Sequence, residues 1–206
     1  MRFSLCRRRG LIVTLSRRAF FAVASCCVLS GYAQVCLTPP NMHAAPENLD
    51  FSQGSPGGMP NGWDMPQIPV YKAEIVSGSA CQTGPQCATL FSLRDDPSLR
   101  LTFLYQVVDA KQYRGKRLTY RASVRANVGI GSAARLLVRV HRTDCSTSFR
   151  DDMGNHPITA STWSSYEIQA PIAMDARDIE FGIQLIGQGQ AWIDNISMTF
   201  TDPPVQ

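Results

Sequence analysis

Arginines recur on one side of two successive segments of the chain. Arg121 and Arg125 lie in the first segment, and Arg135 and Arg139 lie in the second, followed by His141. Guanidinium groups bind carboxylates through two parallel hydrogen bonds, so these side chains suit an anionic polymer such as a glycan that contains uronic acids. If the two segments are neighbouring strands, the five side chains share an outward face and form one platform of hydrogen-bond donors.

Two aromatic residues extend this hypothesis. Trp63 and Tyr71 would supply surfaces on which sugar rings stack at the loop end of the platform. The alternative interpretation is a solvated face whose arginines pair with acidic residues such as Glu167, Glu180 and Asp109. Exposed pairs of that kind add roughly 0–1 kcal/mol each, so they would contribute little to stability.

Residues that perform catalysis in other proteins are present, but they form no recognisable motif. His141 would act as a general base if Asp144 or Asp152 oriented it, whereas the simpler interpretation is a histidine at the rim of a strand. The adjacent aspartates at 95–96 and at 151–152 point in different directions and lie in predicted loops, where aspartate is common. The sequence contains no Gly-x-Ser-x-Gly, His-Glu-x-x-His or phosphate-loop motif, so we expect a protein that is not an enzyme.

The cysteines predict disulfides. Of the seven cysteines, Cys36, Cys81, Cys87 and Cys145 follow residue 33. Cys81 and Cys87 enclose a turn-forming sequence, which favours a local disulfide between them. Cys36 and Cys145 would then be the remaining pair, although four cysteines allow three pairings. A zinc site is the weaker alternative, because the close paired spacings of structural zinc ligands do not occur.

The positive charge of the chain is concentrated near its N-terminus. The formal net charge is +4, but residues 1–33 hold six arginines and no acidic residue. An apolar run follows the last of these arginines and ends at Gly31-Tyr32-Ala33, which is the pattern of a secretory signal peptide. Its removal leaves a net charge of −2, so we expect no nucleic-acid partner. No apolar run in the mature chain has the roughly 18 residues that a membrane-spanning helix needs.

The export route has two interpretations. Residues 16–21 resemble a twin-arginine signal, with the general secretory route as the alternative. Residues 23–26 also resemble a lipoprotein processing site, which would leave a lipidated Cys26 as the anchored N-terminus. Each route predicts a periplasmic or secreted protein. After the signal we expect a flexible, proline-rich tether over 34–47 and one domain over 48–202.

Apolar and polar residues alternate through most of the remaining sequence, which indicates β-strands with one face on a core. In 117–126 the even positions are apolar, whereas in 99–107 the odd positions are apolar. A change of phase near Asp194 predicts a β-bulge in the last strand. The strands are expected at 49–52, 70–76, 88–93, 99–107, 117–126, 135–141, 166–170, 179–185 and 191–200. This pattern predicts an all-β jelly-roll β-sandwich of about eight or nine antiparallel strands.

Several short motifs resemble those of a known group of domains. Asn48-Leu-Asp-Phe51, Gly58-Met-Pro-Asn-Gly-Trp63 and Trp192-Ile-Asp-Asn-Ile196 are similar to the opening and closing strands of galactose-binding-like jelly rolls, which include many carbohydrate-binding modules. Residues 107–117 and 151–158 resemble accessory domains of secreted bacterial hydrolases, including serine peptidases. The resemblance covers about residues 48–200 and implies a binding domain rather than a particular ligand.

The same resemblance implies a structural calcium ion near the last strand. An acidic residue of that strand often helps to hold the ion in such domains, and Asp194 occupies this position. Asp50 and Glu74 are the nearest candidates for further ligands, since calcium requires six to eight oxygen atoms. The alternative is that Asp194 accepts hydrogen bonds from backbone amides at the bulge.

The sequence therefore predicts an exported, non-catalytic module that binds a glycan or another envelope polymer. The alternative is a structural or protein-interaction module of the envelope that serves as accessory to a separate secreted enzyme or envelope protein.

Overall fold

A computed structural model describes residues 39–96, 98 and 100–203, and in this part the chain forms two five-stranded β-sheets that enclose a common core. The expected signal peptide and the cysteines at 26 and 36 lie outside the described residues. Two short 3-10 helices, Gly78–Ala80 and Lys111–Tyr113, complete the regular structure. Within the described ranges, no helix has the length and apolar character needed to span a bilayer. The ten strands are β1 (Met42–His43), β2 (Tyr71–Ser77), β3 (Gln86–Ser92), β4 (Leu101–Asp109), β5 (Arg117–Val128), β6 (Ala133–Arg142), β7 (Thr147–Asp151), β8 (Ser164–Pro171), β9 (Ala176–Ile186) and β10 (Gly189–Thr201).

Most strands that are neighbours in a sheet are not consecutive in the chain. Sheet A has the order β1-β4-β9-β6-β7, and sheet B has the order β2-β3-β10-β5-β8. All neighbouring strands are antiparallel except β1, which pairs parallel to β4. The prediction of an antiparallel β-sandwich is confirmed. The expected strand at 49–52 is replaced by a turn and an irregular segment in which Phe51 has a φ of 55°, whereas β1 and β7 were not expected.

The core contains the inward residues of both sheets, and aromatic rings join them. The ring centroid of Trp63 lies 5.3 Å from that of Phe51 and 5.8 Å from that of Phe181, and Tyr120 packs edge-on against Phe181 at 5.5 Å. Trp63 is only 4% exposed, and its indole Nε1 donates to the carbonyl of Asn48. The hypothesis that Trp63 stacks on a ligand is therefore wrong, because its ring belongs to the core.

The middle of β10 contains the expected bulge. The register between β10 and β5 shifts between Asp194 and Ser197, and Asn195 has a φ of 51°, a left-handed conformation that asparagine tolerates better than most residues. The loop that covers this bulge is closed by the disulfide between Cys81 and Cys87. This disulfide confirms the local pairing. Cys145 is also disulfide-bonded, and its pairing with Cys36 remains a prediction because Cys36 is outside the described residues.

Residues 39–47 pack against the domain, which corrects the expectation of a flexible tether in this part of the chain. β1 pairs with the outer edge of β4, and the side chain of Gln106 exchanges hydrogen bonds with the backbone of Glu47. Asn41 Nδ2 donates to Asp64 Oδ1 at 2.7 Å. The edge of β4 is thus covered, because an unpaired strand edge retains unsatisfied hydrogen-bonding groups.

Candidate functional site

The arginines do not form the single platform that their spacing suggested. Arg121 and Arg125 lie on β5 in sheet B, whereas Arg135 and Arg139 lie on β6 in sheet A. Because the outward sides of the two sheets face opposite ways, the two pairs lie on opposite sides of the domain. The physical reason is that the short turn between β5 and β6 carries the chain from one sheet to the other.

Tyr71 does not have the exposed position that the sequence-based hypothesis required. Its side chain is 5% exposed and packs in the core, and its hydroxyl donates to the carbonyl of Gly187 at 2.8 Å. Burial is the main cause that raises the pKa of this hydroxyl above its ordinary value. Tyr71 therefore holds β2 to the β9–β10 turn rather than presenting a ring to a ligand.

The outward side of sheet A brings aromatic, charged and amide side chains together. Phe103 lies opposite Gln184, which lies opposite Arg135, and Glu180 lies opposite Arg139. Opposed residues of antiparallel strands point to the same side of a sheet. We use the name sheet A face for the side chains of Phe103, Tyr105, Arg135, Arg139, His141, Glu180 and Gln184.

The aromatic part of the sheet A face lies on β4. The half-buried rings of Phe103 and Tyr105 have centroids 5.0 Å apart, and both point away from the core. Their odd positions were expected on the core side, but Leu104 and Val108 occupy that side instead. The alternation of apolar residues did not identify these rings as outward, because the residues on the other side of β4 are also partly apolar.

The charged part of the face is an ion pair between β6 and β9. Arg139 Nη1 lies 2.7 Å from Glu180 Oε1, and the Arg139 guanidinium also lies over the Phe103 ring, 5.7 Å from its centroid. Burial is the main cause that raises the pKa of Glu180 above its ordinary value, and the nearby Arg139 opposes this shift. The pair therefore fixes one donor group beside the two half-buried rings.

His141 is paired with an acid that the sequence hypothesis did not consider. Its Nδ1 lies 2.7 Å from Oδ1 of Asp178, whose other oxygen accepts from Arg177 Nε at 2.6 Å. Burial by itself would raise the pKa of Asp178, but the hydrogen bonds from His141 and Arg177 lower it below its ordinary value. The suggested orientation of His141 by Asp144 or Asp152 is wrong, because Asp144 accepts from Ser146 and Asp152 from Arg150.

The adjacent aspartates stabilise turns. Asp96 accepts hydrogen bonds from the backbone and hydroxyl of Ser98, and Asp151 accepts from the backbone amide of Met153 at 2.8 Å. The Ser98 hydroxyl and amide lower the pKa of Asp96 below its ordinary value. These contacts agree with the expectation that aspartates in such loops serve turn geometry.

The outward side of sheet B carries a different cluster. The Arg125 guanidinium lies 4.0 Å from the ring centroid of Trp192 and 5.4 Å from that of Trp163, and its Nη2 donates to the carbonyl of Ala80. Stacking of this kind fixes a guanidinium by cation–π attraction. Arg121 is paired with Glu167 on the neighbouring strand β8, as the solvated-face alternative expected.

Asp194 satisfies its carboxylate with backbone amides. Its Oδ2 accepts from the amides of Gln82 and Thr83, and its Oδ1 accepts from the amide of Asn195 at 2.7 Å. A cation at this carboxylate would meet the positive ends of three N–H groups, so the arrangement does not fit a calcium ion. Among the described residues, no group of three or more acidic, histidine or cysteine side chains could hold a metal.

The two further residues proposed as calcium ligands lie in different places. Asp50 lines a pocket of about 210 Å³ together with Asp194, but its carboxylate accepts from the amide and hydroxyl of Ser52. Glu74 is paired with Lys72 and lies on β2, two strands away from β10. The three side chains therefore do not converge on one point.

Comparisons with known proteins agree on the fold. No protein-family model matches the chain. The family 22 xylan-binding module of Paenibacillus barcinonensis Xyn10C has a TM-score of 0.54 at 12% identity, covering 75% of this chain and 93% of the module. The C-terminal family 22 module of Clostridium thermocellum Xyn10B has a TM-score of 0.54 at 12% identity, covering 82% and 99%. The module TmCBM61, solved with β-1,4-galactotriose, has a TM-score of 0.51 at 12% identity, covering 75% and 96%.

These similarities agree with the expected β-sandwich fold, and at such low identity they establish the fold alone. In sequence, a stretch of 103 residues, half of this chain, is 33% identical to an uncharacterized HTH-type transcriptional regulator, YbfP, of Bacillus subtilis. The match covers 35% of that protein, so the chain spans about a third of the length of this curated relative.

Proposed function

We propose that this domain is a non-catalytic module that binds a glycan on the sheet A face. The observation that carries the proposal is the pair of outward rings, Phe103 and Tyr105, beside the fixed Arg139–Glu180 ion pair. The fold shared with several carbohydrate-binding modules supports the same conclusion.

The chemistry of the face suits a sugar polymer. The C–H side of a sugar ring packs on an aromatic face, whereas its hydroxyl groups need donors and acceptors around the rim. Phe103 and Tyr105 offer the first surface, and Arg139 with Glu180 offers a donor and an acceptor held in place by each other. A flat face of this type contacts several sugar units of an extended chain.

We also propose that the protein acts outside the cytoplasm. The disulfide between Cys81 and Cys87 supports this, because such bonds persist mainly in oxidising compartments. Export by the general secretory or the twin-arginine route, with lipidation at Cys26 as the alternative, is part of the same proposal.

The decisive experiment measures glycan binding by variants of the two faces. A panel of soluble plant and bacterial polysaccharides is screened by affinity electrophoresis, and binding is quantified by titration calorimetry. We expect Phe103→Ala and Tyr105→Ala each to weaken binding about tenfold, because a stacked ring contributes on the order of 1 kcal/mol beyond its buried area.

Arg121→Ala on the opposite sheet is the control and should bind as the parent protein does. Unchanged binding by both ring variants would show that the sheet A face is not the site. Failure of the parent protein to bind any polysaccharide would contradict the proposal itself.

A protein-interaction role is the alternative, and the cluster of Arg125, Trp163 and Trp192 on sheet B favours it. Tryptophan and arginine are the residue types that dominate binding energy at protein interfaces. If no polysaccharide binds, cross-linking of the protein in its native envelope tests this role. A defined partner that the parent protein captures and the Trp163→Ala variant loses would support it.

A further inference from the structure

Arg135 differs from the other arginines of its side of sheet A, because its guanidinium has no acceptor. Arg139 is paired with Glu180, and Arg150, which lies opposite Arg139, is paired with Asp152. The side chain of Arg135 makes no hydrogen bond or ion pair with any described residue, and its Nε is buried without a partner.

The position of Arg135 relates it to the proposed binding surface. Arg135 on β6, Gln184 on β9 and Phe103 on β4 form one row across three strands. The side-chain amide of Gln184 likewise makes no hydrogen bond within the described part of the chain. A ligand that stacks on Phe103 would therefore pass over the amide of Gln184, a residue that is only 3% exposed, before it reaches the guanidinium of Arg135 along the same row.

The Nε of Arg135 is too buried for a ligand to reach, so a ligand meets the terminal Nη groups, which have no partner among the described residues. The edge formed by the two Nη groups of a guanidinium donates two parallel hydrogen bonds to the two oxygens of a carboxylate. Partial burial holds this edge in place before a ligand arrives, so less side-chain freedom is lost on binding.

The local charge balance points to an acidic ligand. Three arginines, at 135, 139 and 150, surround two carboxylates, Glu180 and Asp152. The hydrogen bond from Arg150 is the main cause that lowers the pKa of Asp152, and the charges of Arg150, Arg135 and Arg139 add to it. Asp152 is thus already engaged by Arg150, which leaves the positive charge of Arg135 without a paired acid.

We propose that the glycan held on the sheet A face carries uronate carboxylates and that Arg135 binds one of them through a bidentate pair. The proposal rests on the proposed function and names the substrate class of the same site. In this arrangement Phe103 stacks on a sugar ring and Arg135 binds a carboxylate. The ring and the carboxylate belong either to one acidic sugar residue or to two neighbouring residues of the polymer.

The test compares acidic polymers with their own neutral forms. Polygalacturonate, alginate and glucuronoxylan are each measured by titration calorimetry beside the same polymer after reduction of its carboxyl groups. We expect the parent protein to bind at least one acidic polymer and to bind its reduced form at least tenfold more weakly. Dextran sulfate and cellulose sulfate, which contain no carboxylate, serve as sulfated probes and should bind at least tenfold more weakly than the preferred uronate polymer.

Two variants separate bidentate recognition from charge alone. Arg135→Gln should bind the acidic and the reduced polymer with equal affinity, and Arg135→Lys should recover only part of the preference because an ammonium group lacks the fork. Arg121→Gln makes the same exchange on sheet B and should keep the preference of the parent protein.

The outcomes distinguish this proposal from the one on which it rests. Equal binding of an acidic polymer and its reduced form would overturn the assignment of Arg135 and leave glycan binding intact. An equal loss of both forms in Arg135→Gln would indicate a structural role for this arginine, and preferred binding of the sulfated probes would exclude the carboxylate. Failure of all polymers, neutral and acidic, to bind the parent protein would overturn the proposed function itself.

Discussion

Two carboxylates on β9 show how strongly the surroundings of a single residue decide its chemistry. Asp178 and Glu180 point to the same side of sheet A, yet the pKa of Asp178 is lowered and that of Glu180 is raised. Both are desolvated, but Asp178 accepts hydrogen bonds from the side chains of His141 and Arg177, whereas Glu180 accepts from Arg139 alone. The number of hydrogen-bond donors therefore decides the direction of each shift.

Asp178 makes stability depend on pH in a way that can be measured. Its pKa in the folded protein lies below the ordinary value of 3.8, so its contribution is complete above that pH and is lost as the pH falls through the folded pKa. We expect Asp178→Asn to lower the free energy of unfolding by about 2 kcal/mol at pH 7. Urea denaturation at pH 7 and near pH 2.5 measures the effect, which should shrink at the lower pH.

The control for this variant is Asp175→Asn. Asp175 pairs with Arg142 on the exposed surface, where such a pair contributes only about 0–1 kcal/mol. A loss of stability in Asp178→Asn that is equal at both pH values would contradict the assigned role of the charge.

At the scale of elements, the alternating pattern predicted where most strands lie, but it indicated much less about which strands are neighbours in a sheet. The even positions of β5 face the core as expected, because polar residues occupy all of its odd positions. In β4 both sides carry apolar residues, so the alternation does not determine which side is inward. β7 escaped detection because Phe149 is the only large apolar residue of its five positions.

The pairing of strands depends on contacts that no local pattern contains. β5 and β6 follow each other in the chain, and their arginines have the same spacing, but the strands belong to different sheets. The candidate site was therefore only half predictable. Arg135, Arg139 and His141 were identified from the sequence, whereas Phe103, Tyr105 and Glu180 join them only through the order β4-β9-β6.

The disulfide loop between β2 and β3 should stabilise the bulge of β10. The bond between Cys81 and Cys87 holds the segment whose amides at Gln82 and Thr83 bind Asp194. We expect the double variant Cys81→Ser/Cys87→Ser to lose about 2 kcal/mol of unfolding free energy, since the bond closes a short loop in the unfolded chain. Urea denaturation measures the loss.

Substitution is preferable to a reducing agent here, because Cys145 is disulfide-bonded as well. A double variant as stable as the parent protein would show that the hydrogen bonds to Asp194 hold the loop without the covalent bond.

At the scale of the whole molecule, the two outward surfaces have different characters. The sheet A face combines half-buried outward rings with an arginine that lacks an acceptor, whereas sheet B carries paired or stacked arginines. The positive net charge of the full sequence does not describe either surface, because six arginines of the expected signal peptide account for all of it. Recognition is therefore expected to depend on local arrangement rather than on net charge.

Thermal stability tests whether a metal ion contributes to the fold. Because three backbone amides already satisfy Asp194, we expect the melting temperature to remain unchanged when EDTA is added to the purified protein. Calorimetric scans with EDTA, with added calcium and with neither measure this directly. A decrease with EDTA that calcium reverses would instead establish the structural calcium site that the resemblance implies.

The attachment of residues 39–47 to the edge of sheet A has a consequence for how the domain is presented to its surroundings. Pro39, Pro40 and Asn41 border the same small pocket as Tyr105, so the chain enters the domain at the margin of the proposed binding surface. Anything joined through residue 38, whether a lipid anchor or a second domain, is tied to that margin and not to the opposite sheet. Under the proposed function, this point of attachment would set the direction from which a long polymer approaches the aromatic rings, and a longer or shorter connection would change access to the rings without changing a single contact within them.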